Sequence, residues 1–441
     1  MEIPVNPSGY TFADDKGNVR VHQDRSPLAK RIDRDGDKFL SDGEIKDYLV
    51  ENRILKDPSK KAVNEQRVIE DFKLNLSEKV LPQRALYRSY EEAVGELKDL
   101  EKKYPDLCKT VVIGKTAEGR DILAMKISKD VQTDTSKKPG ILFTGCHHAR
   151  EWPTVEATLS MPRQILEHCG TDEKVKNRVN NAEMWFVPVV NPDGYEYSRN
   201  EDSMWRKNRN PVHANEIPSQ IADQMSPDAN GVVAIGVDPN RNYFDGNAEH
   251  LQFYRPDGDT PESTWDDYGG ATSDDPENET YRGPKGGSEK EVQAMLGLWM
   301  ERQNIKGIVN HHTYGKDVMY PWSVKQDEIE NVKTYKEIAG KMCAAITDDR
   351  YTVQQSSAMY PSSGDPDDFA TLNGRLSLTI EIGEEFATKD PKELAHIKGD
   401  VYNANMAFVD WIMGHKDRLR DRVIVEQKPE NGGDESYLIS H

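Results

Sequence analysis

Short apolar runs alternate with amphipathic runs through residues 82–415, and this alternation constrains the fold more than any other feature of the sequence. Apolar runs of this length are typical of strands in a largely buried sheet, and the stretches between them have helical periodicity. The predicted strands are 110–114, 122–127, 141–144, 184–190, 308–310 and 376–382, and the predicted helices lie near 153–168, 288–304, 331–347 and 399–414. The order predicts an α/β domain with a mixed, mostly buried central sheet and helices on both faces.

Composition divides the chain into three regions. Residues 1–81 are highly charged with scattered apolar positions, residues 82–415 hold the predicted α/β domain, and residues 416–441 form a polar, glycine-containing tail. Ser89, followed three residues later by Glu92, forms a capping-box pattern that predicts the first helix of the domain. Catalytic groups of such a domain are expected at strand ends and in the loops beyond them.

The charge and cysteine content exclude several classes of protein. A net charge of −19 argues against a nucleic-acid or anionic-membrane partner. No apolar run is long enough to cross a membrane, and the first residues carry neither the basic start nor the apolar stretch of a signal peptide. The four cysteines lack a metal-binding spacing and are too few for a disulfide scaffold, so we expect buried free thiols.

Two of the predicted strands end in histidines. One leads into His148 and Glu151, which are three residues apart and project to the same side in a tight turn. Another ends at His312. Two imidazoles and one carboxylate are the protein ligands of a His₂Glu zinc site that keeps one open position. Because both histidines are doubled, His147 and His311 compete for the same roles, and a hydrogen-bonded histidine at a strand end is the alternative to a ligand.

Seven segments in a fixed order carry a family resemblance. They lie at 113–120, 145–152, 204–209, 236–242, 312–321, 360–369 and 378–381. Together they resemble the zinc metallocarboxypeptidases of the carboxypeptidase A and B type, and the resemblance covers about residues 85–415. It implies that His148, Glu151 and His312 hold Zn²⁺, with a water in the fourth position.

The resemblance also assigns the catalytic groups. It implies that Glu381 is the general base that takes a proton from the attacking water and passes it to the leaving amine. Arg206 matches the arginine that stabilises the oxyanion. Independently of the family, Glu381 shares its strand face with Ser377 and Thr379 while aliphatic residues alternate on the other face. A polar face on a central strand indicates a cleft.

The substrate-binding residues follow from the same resemblance. Asn240, Arg241 and Tyr360 match the residues that bind the terminal carboxylate of a peptide, for which the planar guanidinium fork is well suited. Arg150 matches an auxiliary substrate arginine. These matches imply the removal of only the last residue of a chain.

Two acidic residues indicate which side chain is removed. Asp367 lies seven positions after Tyr360, at the position that forms the bottom of the side-chain pocket in the family, and Asp365 is a second acidic candidate for the lining. Since a buried carboxylate requires a cationic partner, we expect a preference for C-terminal Lys or Arg.

Residues 33–44 resemble the calcium loop of an EF-hand, within an N-terminal region for which we expect helices. The candidate oxygen ligands are Asp33, Asp35, Asp37, Ser41, Glu44 and the carbonyl of Phe39. Lys38 stands where such a loop normally has glycine, so an acidic turn between helices is the alternative. The region is either a pro-segment that blocks the cleft or a calcium-dependent stabilising appendage.

These features predict a zinc-dependent exopeptidase that acts on peptides and proteins with a free C-terminus, with Zn²⁺ as catalytic ion and Ca²⁺ as structural ion. The resemblance implies a secreted or extracytoplasmic location. Two alternatives are a related zinc amide hydrolase on the same scaffold and an inactive, calcium-dependent binding module. The carboxylate-binding set argues against the first, and the retained zinc ligands and Glu381 argue against the second.

Overall fold

The computed structural model of the chain describes residues 19–20, 39–40, 46–47, 86–255 and 272–415. The strands are β1 (Val19–Arg20), β2 (Phe39–Leu40), β3 (Cys108–Lys115), β4 (Asp121–Ile127), β5 (Gly140–Thr144), β6 (Glu183–Val187), β7 (Pro211–His213), β8 (Val232–Ile235), β9 (Ile305–His312), β10 (Asp317–Tyr320), β11 (Thr352–Gln355) and β12 (Leu376–Glu381). The described residues also form α-helices, three of which have only a single turn.

They are α1 (Tyr90–Lys103), α2 (Trp152–His168), α3 (Glu173–Asn181), α4 (Pro192–Asn200), α5 (Ser219–Ala222), α6 (Leu251–Tyr254), α7 (Lys290–Glu301), α8 (Val332–Ala345), α9 (Ser356–Met359), α10 (Pro366–Leu372) and α11 (Pro391–Gly414). The capping box predicted for the first helix is present, with Ser89 accepting from the Glu92 backbone and the Glu92 side chain accepting from the Ser89 backbone. None of the helices among the described residues is both long and apolar enough to span a membrane.

Eight strands form the central sheet, in the order β11-β10-β12-β9-β5-β6-β4-β3. The four central strands β12, β9, β5 and β6 run parallel to one another. On either side β10 pairs antiparallel with β12, and β4 pairs antiparallel with β6. The predicted mixed sheet is therefore confirmed.

Apolar side chains on both faces of this sheet are buried under helices. Along β5, Ile141 and Phe143 belong to one apolar cluster, which includes Leu97 of α1 and Phe408 of α11. The intervening Leu142 belongs to a second cluster on the opposite face. This alternation explains why the central strands read as continuous apolar runs.

Parallel pairing brings the functional segments to one edge of the sheet. The carboxyl ends of β5, β9 and β12 point the same way, and Glu381 at the end of β12 is paired with His312 at the end of β9. The loop that follows β5 contains the predicted His–Glu pair. In open α/β sheets this edge is where ligands bind.

The segment 208–235, which reads as a polar surface loop, is partly ordered secondary structure. β7 and β8 pair antiparallel within it. Val212 and Ile217 pack with Val237 and Tyr281 in a small apolar cluster, which supports this segment.

The N-terminal region is described only in fragments. β1 pairs antiparallel with β2, with Val19 opposite Leu40. Phe39 lies in β2, while the candidate calcium ligands Asp33, Asp35, Asp37, Ser41 and Glu44 lie outside the described residues. The calcium loop, the helices expected around it and the polar tail at 416–441 thus stay predictions.

Candidate functional site

Three side chains that can bind a metal converge at the carboxyl edge of the sheet. His148 Nδ1 lies 2.7 Å from Glu151 Oε1, and His312 Nδ1 lies 3.0 Å from Glu151 Oε2. The two Nδ1 atoms are 3.1 Å apart. All three side chains are buried, and their ligand atoms lie within 4.8 Å of one another. Two imidazole nitrogens and a carboxylate that face a common point fit Zn²⁺.

The local backbone explains this convergence. Glu151 occupies the N-cap position of α2, which begins at Trp152 with a proline in its first turn. The Glu151 backbone N–H donates to the His148 carbonyl at 3.2 Å, closing the tight turn that the spacing predicts. Burial alone would raise the pKa of Glu151, but the adjacent His148 and His312 hold it below its usual range. Glu151 is therefore an ionised carboxylate, as a metal ligand must be.

The structure distinguishes the ligand candidates from their neighbours. His147 Nε2 lies 2.9 Å from the Tyr243 hydroxyl, and its ring stacks beside His312. His311 lies between Thr158 Oγ1 at 2.9 Å and Asn405 Nδ2 at 2.8 Å. Both histidines are buried and hydrogen-bonded to other side chains, and the three ligand atoms that converge belong to His148, Glu151 and His312, so the structure favours His148 and His312 over their neighbours.

Asp238 links the metal triad to the predicted oxyanion arginine. Its Oδ2 accepts from Arg206 Nε at 2.9 Å and lies 2.8 Å from Arg206 Nη2. Its Oδ1 lies 3.2 Å from His148 Nε2 and accepts from the Asn240 backbone N–H at 2.8 Å. Burial would raise the pKa of Asp238, but Arg206 and His148 hold it well below its usual range. Asp238 belongs to the motif at 236–242, but the sequence alone assigns it no role.

Glu381 faces the same cleft from the end of β12. Part of the residue is exposed, but its Oε2 is buried and accepts no hydrogen bond from the described residues. Burial and the neighbouring Glu151 carboxylate raise the pKa of Glu381 well above its usual range. A carboxyl group without a fixed partner can accept a proton and release it again.

A short 3₁₀ turn, Pro239–Arg241, presents the candidate carboxylate-binding residues. Asn240 and Arg241 are both buried, and Arg241 Nη1 donates to the Asn240 carbonyl at 2.9 Å. The guanidinium carbon of Arg241 lies 5.9 Å from the centre of the Tyr360 ring. A buried guanidinium near a tyrosine side chain suits an anionic group.

Asp365 and Asp367 lie at the start of α10. Asp365 caps this helix by accepting from the Asp367 backbone N–H at 2.8 Å. The Asp367 carboxylate is buried and accepts from Asn310 and Thr379, both at 2.7 Å, and from Ser377. Burial and the neighbouring Asp365 raise the pKa of Asp367 to about 7.

Arg150 is buried, and its guanidinium is already in contact with other groups. Arg150 Nη1 donates to the Met204 carbonyl at 3.0 Å and to Glu279 at 3.1 Å, and the guanidinium lies over the Phe386 ring at 4.3 Å. Its assignment as an auxiliary substrate arginine stays a prediction.

A comparison with known protein families identifies this arrangement. Residues 94–398 match the model of the zinc carboxypeptidases. The chain belongs to the zinc carboxypeptidase family. This match covers the described part of the chain almost completely and contains the metal triad, Arg206 and Glu381.

Individual zinc carboxypeptidases are similar at a moderate level. Carboxypeptidase A4 of Mus musculus is 27% identical over 301 residues, which are 67% of this chain and 62% of that relative. Carboxypeptidase B of Astacus astacus is 28% identical over 303 residues, which are 67% of this chain and 86% of that relative. The matched part thus spans less than two thirds of the mouse protein.

Solved structures show the same fold. Thrombin activatable fibrinolysis inhibitor has a TM-score of 0.62 at 22% identity, covering 75% of each chain. Carboxypeptidase A from Helicoverpa armigera has a TM-score of 0.61 at 22% identity, covering 85% of this chain and 88% of the other.

A second buried network supports this zinc carboxypeptidase site, and the sequence motifs do not reveal it. Asn208 Nδ2 donates to Glu289 at 2.6 Å and to Glu291 at 3.0 Å. Asn208 Oδ1 accepts from the Val237 backbone N–H at 2.8 Å, next to Asp238. Burial and the neighbouring Glu289 raise the pKa of Glu291 to about 8. The acidic residues at 289 and 291 alone carry no signal that would predict this burial.

Proposed function

We propose that this chain is a zinc-dependent carboxypeptidase that releases single residues from the C-termini of peptides and proteins. The observation that supports the proposal is that a His₂Glu triad lies next to the buried Arg206, because Asp238 contacts both His148 and Arg206, while Arg241 is buried three residues after Asp238. A metal site alone would fit many hydrolases. A metal site next to two buried arginines fits a substrate that has both a reacting carbonyl and a terminal carboxylate.

His148, Glu151 and His312 would hold the ion. When bound there, zinc supplies Lewis acidity, which polarises a carbonyl and makes water nucleophilic near neutral pH. Glu381 takes the proton of the attacking water and transfers it to the nitrogen of the leaving amino acid. Its position beside His312 on the neighbouring strand supports this role.

Arg206 stabilises the negative charge that develops on the carbonyl oxygen. Its ion pair with Asp238 holds the guanidinium in place before the substrate arrives. A donor that is fixed in advance costs no reorganisation during the reaction, which makes electrostatic stabilisation effective.

Arg241, Asn240 and Tyr360 bind the terminal carboxylate. This requirement restricts cleavage to the last peptide bond, because only that bond lies one residue away from a free carboxylate. A peptide whose C-terminus is an amide lacks the charge that Arg241 would pair with.

The pocket next to this site accepts a basic side chain. Asp367 and Asp365 are buried acids at its proposed floor, and a buried carboxylate is stabilised by a cation. The proposed substrates are therefore peptides with C-terminal Lys or Arg.

A panel of otherwise identical peptides ending in Arg, Lys, Phe or Glu tests the proposal. Each peptide is incubated with the zinc-loaded chain, next to its C-terminal amide, and the products are identified by mass spectrometry. We expect loss of a single Lys or Arg from the free acids and no cleavage of the amides. Preferential release of Phe would contradict the basic pocket. No release from any peptide, even after proteolytic removal of residues 1–81, would favour the amide hydrolase or the binding module.

A further inference from the structure

The carboxylate of Asp367 is nearly saturated with hydrogen-bond donors from the protein itself. Asn310 Nδ2 donates to Oδ1 at 2.7 Å, and Ser377 Oγ donates to the same oxygen. Thr379 Oγ1 donates to Oδ2 at 2.7 Å. A carboxylate offers about two acceptor sites on each oxygen. Oδ1 is therefore fully used, and Oδ2 keeps one acceptor site.

The donors around Asp367 are fixed in place. Thr144 Oγ1 donates to Asn310 Oδ1 at 2.6 Å, so the amide nitrogen of Asn310 is the group that faces Asp367. Ser377 and Thr379 project from β12, where Thr379 is paired with Asn310 in the sheet. All of these side chains are buried. A substrate cannot displace these donors without breaking buried hydrogen bonds.

The position of Asp367 beside the sheet favours a long substrate side chain. Thr379 and Asn310 are paired two residues before Glu381 and His312, so they form the next pair on the same face of the sheet. Two residues of strand span roughly 7 Å, so Asp367 lies well below the reacting groups. Lysine and arginine are the two basic residues that can extend to such a depth.

We propose that the hydrogen bonds around Asp367 make this pocket select lysine over arginine, an inference that rests on the proposed preference for basic residues. The guanidinium of arginine binds a carboxylate strongly when its fork meets one acceptor site on each oxygen, and Oδ1 offers none. The ammonium of lysine is compact and needs one acceptor at a time, which Oδ2 provides. Its remaining N–H groups can turn toward Asp365, which lies beside Asp367.

Two substitutions distinguish this explanation from a general effect of pocket charge. Ser377→Ala removes a donor from Oδ1, which gives each oxygen one acceptor site and makes the bidentate arginine contact available. Thr379→Val removes a donor from Oδ2 and leaves Oδ1 filled. Each removes one hydroxyl next to the same carboxylate, so Thr379→Val is the matched control. Ser377→Cys, whose thiol is a weak donor, is a second variant that keeps side-chain volume.

The experiment measures kcat/KM of the zinc-loaded full chain for paired peptides ending in Lys, Arg and Phe. We expect the native chain to prefer Lys over Arg by about fivefold or more, as the loss of one charge-assisted hydrogen bond implies. Ser377→Ala and Ser377→Cys should shift the Lys/Arg ratio toward Arg by about threefold or more, whereas Thr379→Val should leave it within about twofold.

The outcomes separate the two levels of the proposal. If Arg is released as fast as Lys by the native chain, or if Ser377→Ala and Thr379→Val shift the ratio equally, the lysine selectivity is wrong while the basic pocket stands. If Phe is released faster than both, the proposed basic preference fails, and the lysine selectivity fails with it. Melting temperatures of the variants identify any loss of folding, and the ratio cancels effects on zinc content that both substrates share.

Discussion

At the scale of single residues, Asp238 influences both the protonation of His148 and the position of the Arg206 guanidinium. Asp238 Oδ1 lies 3.2 Å from His148 Nε2, so its negative charge favours a proton on Nε2 and leaves Nδ1 as the nitrogen that can bind a metal. Its ion pair with Arg206 fixes the guanidinium beside the triad. The motif that contains Asp238 could be read in the sequence, but a contact between residues 90 positions apart depends on the fold.

Replacing Glu381 with glutamine tests its role as proton carrier. The amide is nearly isosteric with the carboxyl group but cannot accept and release the proton. We expect kcat to fall by about 10²- to 10⁴-fold with little change in KM. Steady-state kinetics on a peptide ending in Lys, with zinc content measured in parallel, checks this. Activity within a few-fold of the native chain at full zinc loading would mean that another group transfers the proton.

The raised pKa of Asp367 predicts that the preference for Lys over Phe at the substrate C-terminus depends on pH. Because the pKa of Asp367 is raised to about 7 by burial and by Asp365, the carboxyl group is mostly neutral at pH 6 and mostly ionised at pH 8. The ionised form of Asp367 binds a basic substrate side chain more strongly than the neutral form does. We therefore expect the ratio of kcat/KM for Lys over Phe peptides to rise by up to about tenfold between pH 6 and pH 8.

The ratio removes pH effects that both peptides share, such as changes in Glu381 or the metal site. Asp367→Asn is the control, since its amide does not titrate, and the ratio should then stay flat across the same range. A ratio for the native chain that is constant or that falls with pH would contradict the assignment of Asp367 to the pocket.

At the scale of elements, the site depends on how three parallel strands end. The apolar runs were sufficient to predict β5, β9 and β12, and the alternation along β12 predicted its polar face, on which Ser377 and Thr379 are buried and donate to Asp367. They could not predict which histidine of each doubled pair faces the cleft, because a change of one residue in the turn after β5 exchanges His147 and His148. β10 and β11 were not predicted, since each is only four residues long.

The loop that carries Tyr360 is held by a glycine that cannot be replaced without strain. Gly364 has φ of +73°, and a Cβ placed there would lie 1.9 Å from the Arg241 carbonyl oxygen. We expect Gly364→Ala to destabilise the chain by about 2–4 kcal/mol, from the left-handed backbone and the steric overlap. It should also raise KM, because the overlap displaces the turn that carries Arg241.

Urea unfolding and steady-state kinetics measure these two effects. Gly399→Ala is the control, since Gly399 lies inside α11 and a Cβ added there would meet no atom within 4 Å. That substitution should stabilise the helix by about 0.5–1 kcal/mol and leave KM unchanged. Equal unfolding free energies for the two variants would show that the Gly364 backbone is not under constraint.

At the scale of the whole molecule, buried acidic groups couple stability to pH. Burial and Glu289 raise the pKa of Glu291 to about 8, so the folded chain keeps a proton that the unfolded chain releases near pH 4–5. Between these pH values the folded chain binds more protons than the unfolded chain. The stability that protonated Glu291 contributes is therefore lost as the pH rises toward 8. We expect Glu291→Gln, whose amide stays neutral at every pH, to remove this pH-dependent contribution to stability.

Thermal unfolding of the native chain and of Glu291→Gln from pH 5 to pH 9 measures the effect. The difference in unfolding free energy should change by an amount on the order of a few kcal/mol across this range, with the native chain losing more stability at high pH. Glu289 and Asn208 remain in both proteins, which restricts the comparison to one carboxyl group. A difference that is constant with pH would show that Glu291 is ionised in the folded chain.

The fold as a whole was predictable from periodicity, while the buried polar networks were not. The order of apolar and amphipathic runs is enough to specify a mixed sheet between helices, because burial on both faces leaves few other arrangements. The network of Asn208, Glu289 and Glu291 is different, since each residue taken alone is typical of a surface. Only the packing of α7 against the segment before β7 brings them together.

In the proposed function, a zinc site and a carboxylate-binding cleft act together on the last residue of a peptide. The most direct measurement removes the metal with a chelator, adds zinc back in steps, and follows one peptide ending in Lys beside its C-terminal amide. We expect release of Lys to stop on chelation and to return in full at one equivalent of zinc, with the amide uncleaved throughout. Release that continues without zinc would show that the metal is not required, and cleavage of the amide at the same rate would show that the terminal carboxylate is not recognised.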